Sequence, residues 1–124
     1  MWINGIDHVQ MTSTPEAEKA MLFFYSQVLG LREITKPEGL QANGGNWYTL
    51  GDIQIHIGIE KQANNELSRR HICLRVHNLE AFAKHLQAHG VEIIRDRFIP
   101  TYNRFFIRDP SGNRLEIAEV ALKQ

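Results

Sequence analysis

The chain opens with a stretch in which polar and apolar residues alternate, over residues 6–12. The alternation places Val9 and Met11 on one face and His8 and Gln10 on the other. A period of two residues is typical of a β-strand with one buried face. We therefore predict a first strand whose histidine points away from its aliphatic face.

A helical pattern follows this strand. Thr14 and Pro15 form a typical helix start, with proline in the first turn. The apolar residues that then recur at helical spacing are Ala17, Met21, Phe24 and Val28. Gly30 is the expected C-terminal stop, because glycine readily adopts the left-handed conformation that ends many helices.

Three strands are predicted after the helix, at 31–35, 46–50 and 53–60. In the last one, alternation separates four isoleucines from Gln54 and His56, which point the other way. The same order returns after a polar stretch, residues 61–70. It comprises a strand at 71–76, a helix at 79–89 and strands at 91–95, 104–109 and 114–120. Both halves are therefore predicted to fold as strand, helix, strand, strand, strand.

Length and composition narrow the class of protein. The 124 residues fit a single domain made of two modules, about 5–60 and 71–120, joined by a linker at 61–70. Lys plus Arg and Asp plus Glu both number 14, so net charge gives no argument for binding nucleic acid or an anionic membrane. No apolar stretch approaches the roughly 18 residues of a membrane span. Cys73 is the only cysteine and no signal peptide is recognisable, so we expect a cytoplasmic protein.

Residues that can bind a metal occur at matched places in the two halves. Each half opens with a strand that carries an early histidine, His8 or His71, and His56 and Glu116 follow the two helix-ending glycines at the same interval. The aliphatic residues of these strands must face the covering helices, so all four ligand-type residues are expected on the opposite face. A single histidine is more often an ordinary surface residue than a ligand, but the joint pattern favours a site for Zn, Ni, Fe, Co or Mn.

Three motifs resemble those of the vicinal oxygen chelate superfamily, which includes glyoxalase I, bleomycin-resistance proteins and extradiol dioxygenases. They are Asp7-His8-Val9, Tyr25-Ser26-Gln27-Val28-Leu29-Gly30-Leu31 and Asp109-Pro110-Ser111-Gly112-Asn113-Arg114-Leu115-Glu116. The resemblance covers residues 5–120 and is strongest to small bacterial glyoxalase-like proteins. It implies an α+β fold, in which two tandem βαβββ modules form an open, cup-shaped mixed sheet with helices on its outer face.

The resemblance also implies a divalent metal ion, a small-molecule substrate and a homodimer with sites shared between chains. The family's ligand positions correspond to His8, His56, His71 and Glu116. Within such a site, the ion would hold two adjacent oxygens of the substrate and stabilise enolate or oxyanion charge. Glu116 is the expected catalytic residue, because it could leave the ion to move a proton.

Several functions remain open at this point. A lyase or isomerase of the glyoxalase type and a dioxygenase both fit, although glyoxalase I usually has a carboxylate in place of His56. A fosfomycin-type thiol transferase would use His8, His71 and Glu116, but Phe106 stands where those enzymes place a tyrosine. The alternative that is not an enzyme is a metal-free protein that sequesters an antibiotic. We favour the enzyme, because the sequestering branch of the superfamily generally lacks the metal ligands.

Further residues are expected to contact the substrate. Gln10, Gln54 and Arg75 share the ligand face by alternation, Arg104 could pair with an anionic group, and Trp47 could form part of the pocket wall.

Overall fold

The computed structural model describes residues 1–119, and the chain divides into two compact units, residues 1–63 and the residues from 64 onward. The first unit contains one four-stranded sheet. Its strands are β1 (His8–Ser13), β2 (Arg32–Ile34), β3 (Asn46–Leu50) and β4 (Ile53–Ile59), in the order β1-β4-β3-β2. The first strand runs parallel to β4, and the other neighbours are antiparallel.

The predicted helix of the first unit is present, but it changes type along its length. It begins with a 3₁₀ turn at Pro15–Ala17, continues as α1 (Glu18–Phe23) and ends as a π-helix over Phe24–Val28. In the π segment the amide of Leu29 donates to the carbonyl of Phe24 at 2.8 Å. The wider turn accompanies burial of two adjacent aromatic residues, Phe24 and Tyr25, and the ring of Tyr25 lies 5.9 Å from that of the sheet residue Tyr48.

The second unit contains a three-stranded sheet. Its strands are β5 (His71–Arg75), β6 (Asn103–Arg108) and β7 (Arg114–Glu119), in the order β5-β7-β6. Its helix is α2 (Leu79–Ala88), and the side chain of Asn78 caps it by accepting a hydrogen bond from the amide of Ala81 at 3.0 Å. Leu79, Ala83 and Leu86 are buried, as the helical spacing predicted.

The strand predicted at 91–95 is wrong. Only one isolated bridge forms there, in which Ile94 and Phe106 exchange two backbone hydrogen bonds of 2.8 Å. The segment then runs into the charged sequence Arg95-Asp96-Arg97, where regular pairing stops. The prediction for 114–120 agrees through Glu119, and Val120 lies outside the described residues.

Polar contacts hold the first residues of the second unit, 64–70, against the rest of that unit. A 3₁₀ turn at Asn65–Leu67 carries the buried Asn65, whose side-chain amide donates to the carbonyl of Ser111 at 3.1 Å. Arg108 donates to three backbone carbonyls, those of Asn65, Ser68 and Gly112, at 3.3, 3.1 and 2.9 Å. The start of the unit is therefore tied to its last hairpin.

The strand register decides which side chains share a face. In the first unit Gln10 pairs with His56 and His56 pairs with Trp47, so all three lie on one face while Tyr48 and Ile55 lie on the other. In the second unit Glu116 pairs with Cys73 on one side and Phe106 on the other. The α+β class is confirmed, with one mixed sheet in each unit, of four strands in the first and three in the second.

Candidate metal and substrate site

Three aromatic rings are stacked on the polar face of the first sheet. The ring of His56 lies 3.6 Å from the Trp47 ring, centroid to centroid, at an interplanar angle of 4°. On its other side the His8 ring lies 4.0 Å away at 14°. His56 is therefore covered on both faces and is buried.

The two histidines of this stack use their nitrogens differently. His8 Nδ1 lies 2.8 Å from a carboxylate oxygen of Asp7, an arrangement that leaves Nε2 to bind an ion. His56 instead uses Nε2, which lies 2.8 Å from the side-chain oxygen of Gln54. Burial and the neighbouring His8 lower the pKa of His56 below its ordinary value.

In the second unit, His71 lies directly beside Glu116. His71 Nε2 is 2.9 Å from Glu116 Oε1, and His71 Nδ1 is 3.0 Å from the backbone carbonyl of Arg69. Both ring nitrogens thus face oxygen acceptors. Two lone pairs that face each other repel, so this short contact requires either a hydrogen on Nε2 or a metal ion between Nε2 and Oε1.

The other oxygen of Glu116 is held by two donors. The Tyr102 hydroxyl donates to Oε2 in a short hydrogen bond, and Arg104 Nη1 donates to the same atom at 3.3 Å. Burial alone raises the pKa of Glu116, but these hydrogen bonds outweigh burial and hold the pKa below its ordinary value of 4.5. The same bond to Glu116, with burial, raises the pKa of Tyr102. Glu116 is therefore kept as an anion in a buried position.

The neighbours of Glu116 have supporting contacts of their own. The guanidinium of Arg104 lies over the rings of Tyr102 and Phe106, at 5.1 and 5.0 Å. Phe106 is buried and meets the His71 ring edge-on at 5.4 Å, so it packs against a predicted ligand. Burial raises the pKa of Cys73, so its thiol stays protonated near neutral pH and is a poor nucleophile.

Three of the four predicted ligands fit a divalent ion by their donor chemistry. His8 and His71 each have Nδ1 engaged by an oxygen, which is the usual arrangement of a metal-binding histidine. Two ligand atoms about 2.1 Å from one ion and at right angles are about 3.0 Å apart, close to the 2.9 Å between His71 Nε2 and Glu116 Oε1. His56 does not fit as placed, because its Nε2 is engaged and its ring is parallel to that of His8.

Among residues 1–119, no group of three or more His, Cys, Asp or Glu side chains forms a ready metal cluster. The predicted ligands instead occur as one pair in each unit, His8 with His56 and His71 with Glu116. That residues of both pairs bind one and the same ion stays a prediction.

A cavity of about 440 Å³ lies in the first unit and includes two of the predicted substrate residues, Gln10 and Trp47. Lys36 also lines it and donates to the carbonyl of Gly44 at 2.6 Å. The Gln10 amide lies across Gly58, where an added Cβ would come within 2.7 Å of its nitrogen. Glycine at position 58 is therefore what allows the Gln10 side chain to cross this strand.

The remaining predicted substrate residues have other surroundings. Gln54 binds His56, Arg104 binds Glu116, and Arg75 is exposed at the end of β5. Sequence reasoning missed Tyr102 and Lys36. Neither lies in a periodic segment, so alternation gave no signal for them; for Tyr102, a sequence clue was its position just before a strand that carries Phe106.

Comparisons of the sequence and of the structure with known proteins identify the same family. Residues 5–117 match the sequence profile of the Glyoxalase/Bleomycin resistance protein/Dioxygenase superfamily. A solved protein from Bacillus anthracis, assigned to the glyoxalase family, is 39% identical, with a TM-score of 0.87 and 98% of each chain covered. A comparison with curated protein sequences found no match.

Two more distant structures share the fold. Lactoylglutathione lyase from Agrobacterium tumefaciens is 19% identical, with a TM-score of 0.71 and 96% of each chain covered. An antibiotic binding protein from a Streptomyces species is 17% identical, with a TM-score of 0.76, and covers 98% of this chain and 99% of its own. At these identities the likeness concerns the fold alone.

Proposed function

This chain belongs to the Glyoxalase/Bleomycin resistance protein/Dioxygenase superfamily, and from that premise we propose that it is a metal-dependent enzyme, most simply a lyase or isomerase. Its substrate is a small molecule with two adjacent oxygens. The ion, Zn, Ni, Fe, Co or Mn, is held by His8, His71 and Glu116. The observation that carries the proposal is the pair of His71 Nε2 and Glu116 Oε1, 2.9 Å apart, with His71 Nδ1 already engaged.

The bound ion would supply Lewis acidity to the substrate oxygens. The protein's own residues then have separate tasks. Tyr102 and Arg104 keep Glu116 ionised by binding its Oε2, which leaves Oε1 on the side of His71. A carboxylate whose pKa is lowered is a good ligand but a weak base, so any proton that Glu116 accepts must come from a carbon acidified by bound substrate oxygens.

The cavity of the first unit is the proposed place for the body of the substrate. Trp47 offers an apolar surface there, while the Gln10 amide and the Lys36 ammonium offer hydrogen-bond donors. Small ligand sites commonly combine an apolar wall with a few placed polar groups. These donors suit a substrate that carries oxygen acceptors, such as a carboxylate or carbonyl.

The experiment that tests this proposal combines metal removal with an activity assay. Metal is first removed from the protein with a chelator, and each of the five ions is then added back separately. Before and after each addition, the protein is assayed for cleavage or formation of lactoylglutathione, the compound in the name of one structural relative. We expect activity only with an ion present and loss of activity in His71→Ala. Turnover by fully chelated protein at the rate of the restored protein would contradict metal dependence.

Sequestration of an antibiotic is the second candidate function. It is supported by the open cavity beside Trp47 and by the shared fold with an antibiotic binding protein. The two functions differ in whether binding of the small molecule requires the metal ion. Sequestration predicts that an aromatic antibiotic binds equally well to chelated protein and to His71→Ala, and that no chemical change follows.

We further propose that the chain forms a homodimer. The apolar residues Trp2, Ile3 and Ile6 are all exposed at the N-terminus, and a second copy of the chain would cover them. Light scattering should then give twice the mass of one chain, and the Trp2→Ser, Ile3→Ser double variant should shift the molecule toward a single chain. A monomer at micromolar concentration would contradict this proposal.

A further inference from the structure

We propose that His56 is not an ion ligand but a positioning residue that fixes the plane of the His8 ring. The inference rests on the proposed function, because it gives His56 the role of orienting His8, a proposed metal ligand. It concerns residues of the first unit only. Its carrying observation is the stack of Trp47, His56 and His8, with centroid distances of 3.6 and 4.0 Å.

The stack prevents both histidines from binding the same ion. An imidazole nitrogen binds through a lone pair in the plane of its ring, so the ion must lie in that plane. The planes of stacked rings are roughly 3.5 Å apart, the distance of van der Waals contact. An ion in the plane of His8 is then well beyond the bond length of about 2.1 Å from His56.

His56 is also fixed against turning out of the stack. Its Nε2 is bonded to the side-chain oxygen of Gln54 at 2.8 Å, and its other face is closed by the indole of Trp47. Rotation toward an ion would break this bond and both ring contacts in a buried position. His8, by contrast, is exposed on its outer side and needs a partner to hold its plane.

The two histidines therefore have different roles: His8 is the ligand, and His56 orients it. Asp7 orients His8 through Nδ1, and the flat face of His56 sets its tilt. Groups that orient metal ligands commonly change affinity by 10–100-fold when removed. A ring of the same shape without nitrogen can still stack, and this distinguishes stacking from ligation.

The test compares Co²⁺ binding by the wild type, His56→Phe, His56→Ala and His8→Phe, followed by calorimetry and by the visible absorption of the bound ion. We expect His56→Phe to bind within about threefold of the wild type with the same spectrum, and His56→Ala to bind about tenfold more weakly. His8→Phe should lose the site. If His56→Phe loses binding as fully as His8→Phe, or changes the spectrum, His56 is a ligand and the inference is overturned.

A second measurement on metal-free protein keeps the inference separate from the proposed function. Proton NMR of the His56 ring should show resonances shifted upfield by the indole face, and Trp47→Leu should abolish the shift. Ordinary His56 resonances would refute the stack, whether or not an ion binds. A wild type that binds no Co²⁺ would overturn both the proposed function and the positioning role, even if the NMR shift shows the stack.

Discussion

Glu116 is a buried carboxylate whose two oxygens have different surroundings. Oε1 faces His71, and Oε2 accepts hydrogen bonds from Tyr102 and Arg104. In the proposed function, Oε1 is the oxygen that would bind the ion, while the donors at Oε2 stabilise the negative charge. Two predictions at the scale of single residues follow from this asymmetry.

The first prediction concerns the charge of Glu116. Glu116→Gln keeps the shape of the side chain but removes the anion, so Zn²⁺ affinity should fall at least about tenfold by calorimetry. Glu80→Gln is the matched control, because Glu80 is exposed and pairs with Arg95 at 3.0 Å. If Glu116→Gln retains the ion, unchanged turnover would rule out a proton-transfer role for this residue.

The second prediction concerns pH. The folded protein lowers the pKa of Glu116, so ionisation contributes stability above its ordinary value of 4.5, and this contribution is lost as pH falls through the lower folded value. Tyr102→Phe removes a hydrogen bond to the carboxylate and raises its pKa. The melting temperature of metal-free protein should therefore begin to fall at a higher pH in this variant.

The matched control for this titration is Tyr25→Phe. The hydroxyl of Tyr25 belongs to the first unit and donates to Met11 Sδ at 3.6 Å. Its pH profile should keep the midpoint of the wild type. Identical midpoints in Tyr102→Phe and the wild type would show that the tyrosine does not stabilise the anion.

The sequence predicted which residues share a face of the sheet but not how their side chains are arranged there. Alternation placed His8 and His56 on the face opposite the aliphatic residues, which the register confirms, yet it carries no information on ring planes. Tyr102 was missed because it precedes a strand and belongs to no periodic segment. Side-chain partners across a sheet depend on tertiary geometry that a single sequence does not contain.

At the scale of secondary-structure elements, the regular parts were predicted and the irregular parts were not. The strand β4 and the helix α2 follow clear periods of two and 3.6 residues. The π-helical end over Phe24–Val28 has the same apolar spacing as an α-helix, so the pattern could not reveal it. The failed strand at 91–95 is apolar enough to pair but is followed at once by charged residues.

A prediction at this scale concerns the turn before β3. Gly45 has a φ of 76°, and an added Cβ would lie 1.9 Å from the carbonyl oxygen of Ile57. Gly45→Ala should therefore reduce the free energy of unfolding by at least about 3 kcal/mol in urea denaturation. Gly51→Ala is the control, since its φ is also positive at 59° but no atom lies within 4 Å. It should cost only about 1–2 kcal/mol, and equal losses in the two variants would refute the clash.

At the scale of the whole chain, duplication is the feature that the sequence showed most clearly. Each unit has a first strand with a histidine, a covering helix and a later strand with a second candidate residue. No helix within residues 1–119 is long and apolar enough to cross a membrane. The family assignment rests on 113 matched positions, residues 5–117, and not on these few side chains alone.

An ion bound only by folded protein must stabilise the whole chain. At a free Zn²⁺ concentration 100 times the dissociation constant, the free energy of unfolding should rise by about 2.7 kcal/mol, read as a higher melting temperature. His71→Ala should abolish the rise. His89→Ala, which changes a histidine at the end of α2, should retain it. A rise of equal size in His71→Ala would mean that the ion binds elsewhere.

The most direct test of the central claim is elemental analysis of metal in protein purified without chelator, alongside His8→Ala, His71→Ala and Glu116→Ala. The account predicts one divalent ion per chain in the wild type and a loss in each of the three variants. Full metal content in all three variants, or no metal in the wild type even after Zn²⁺ is added, would contradict it.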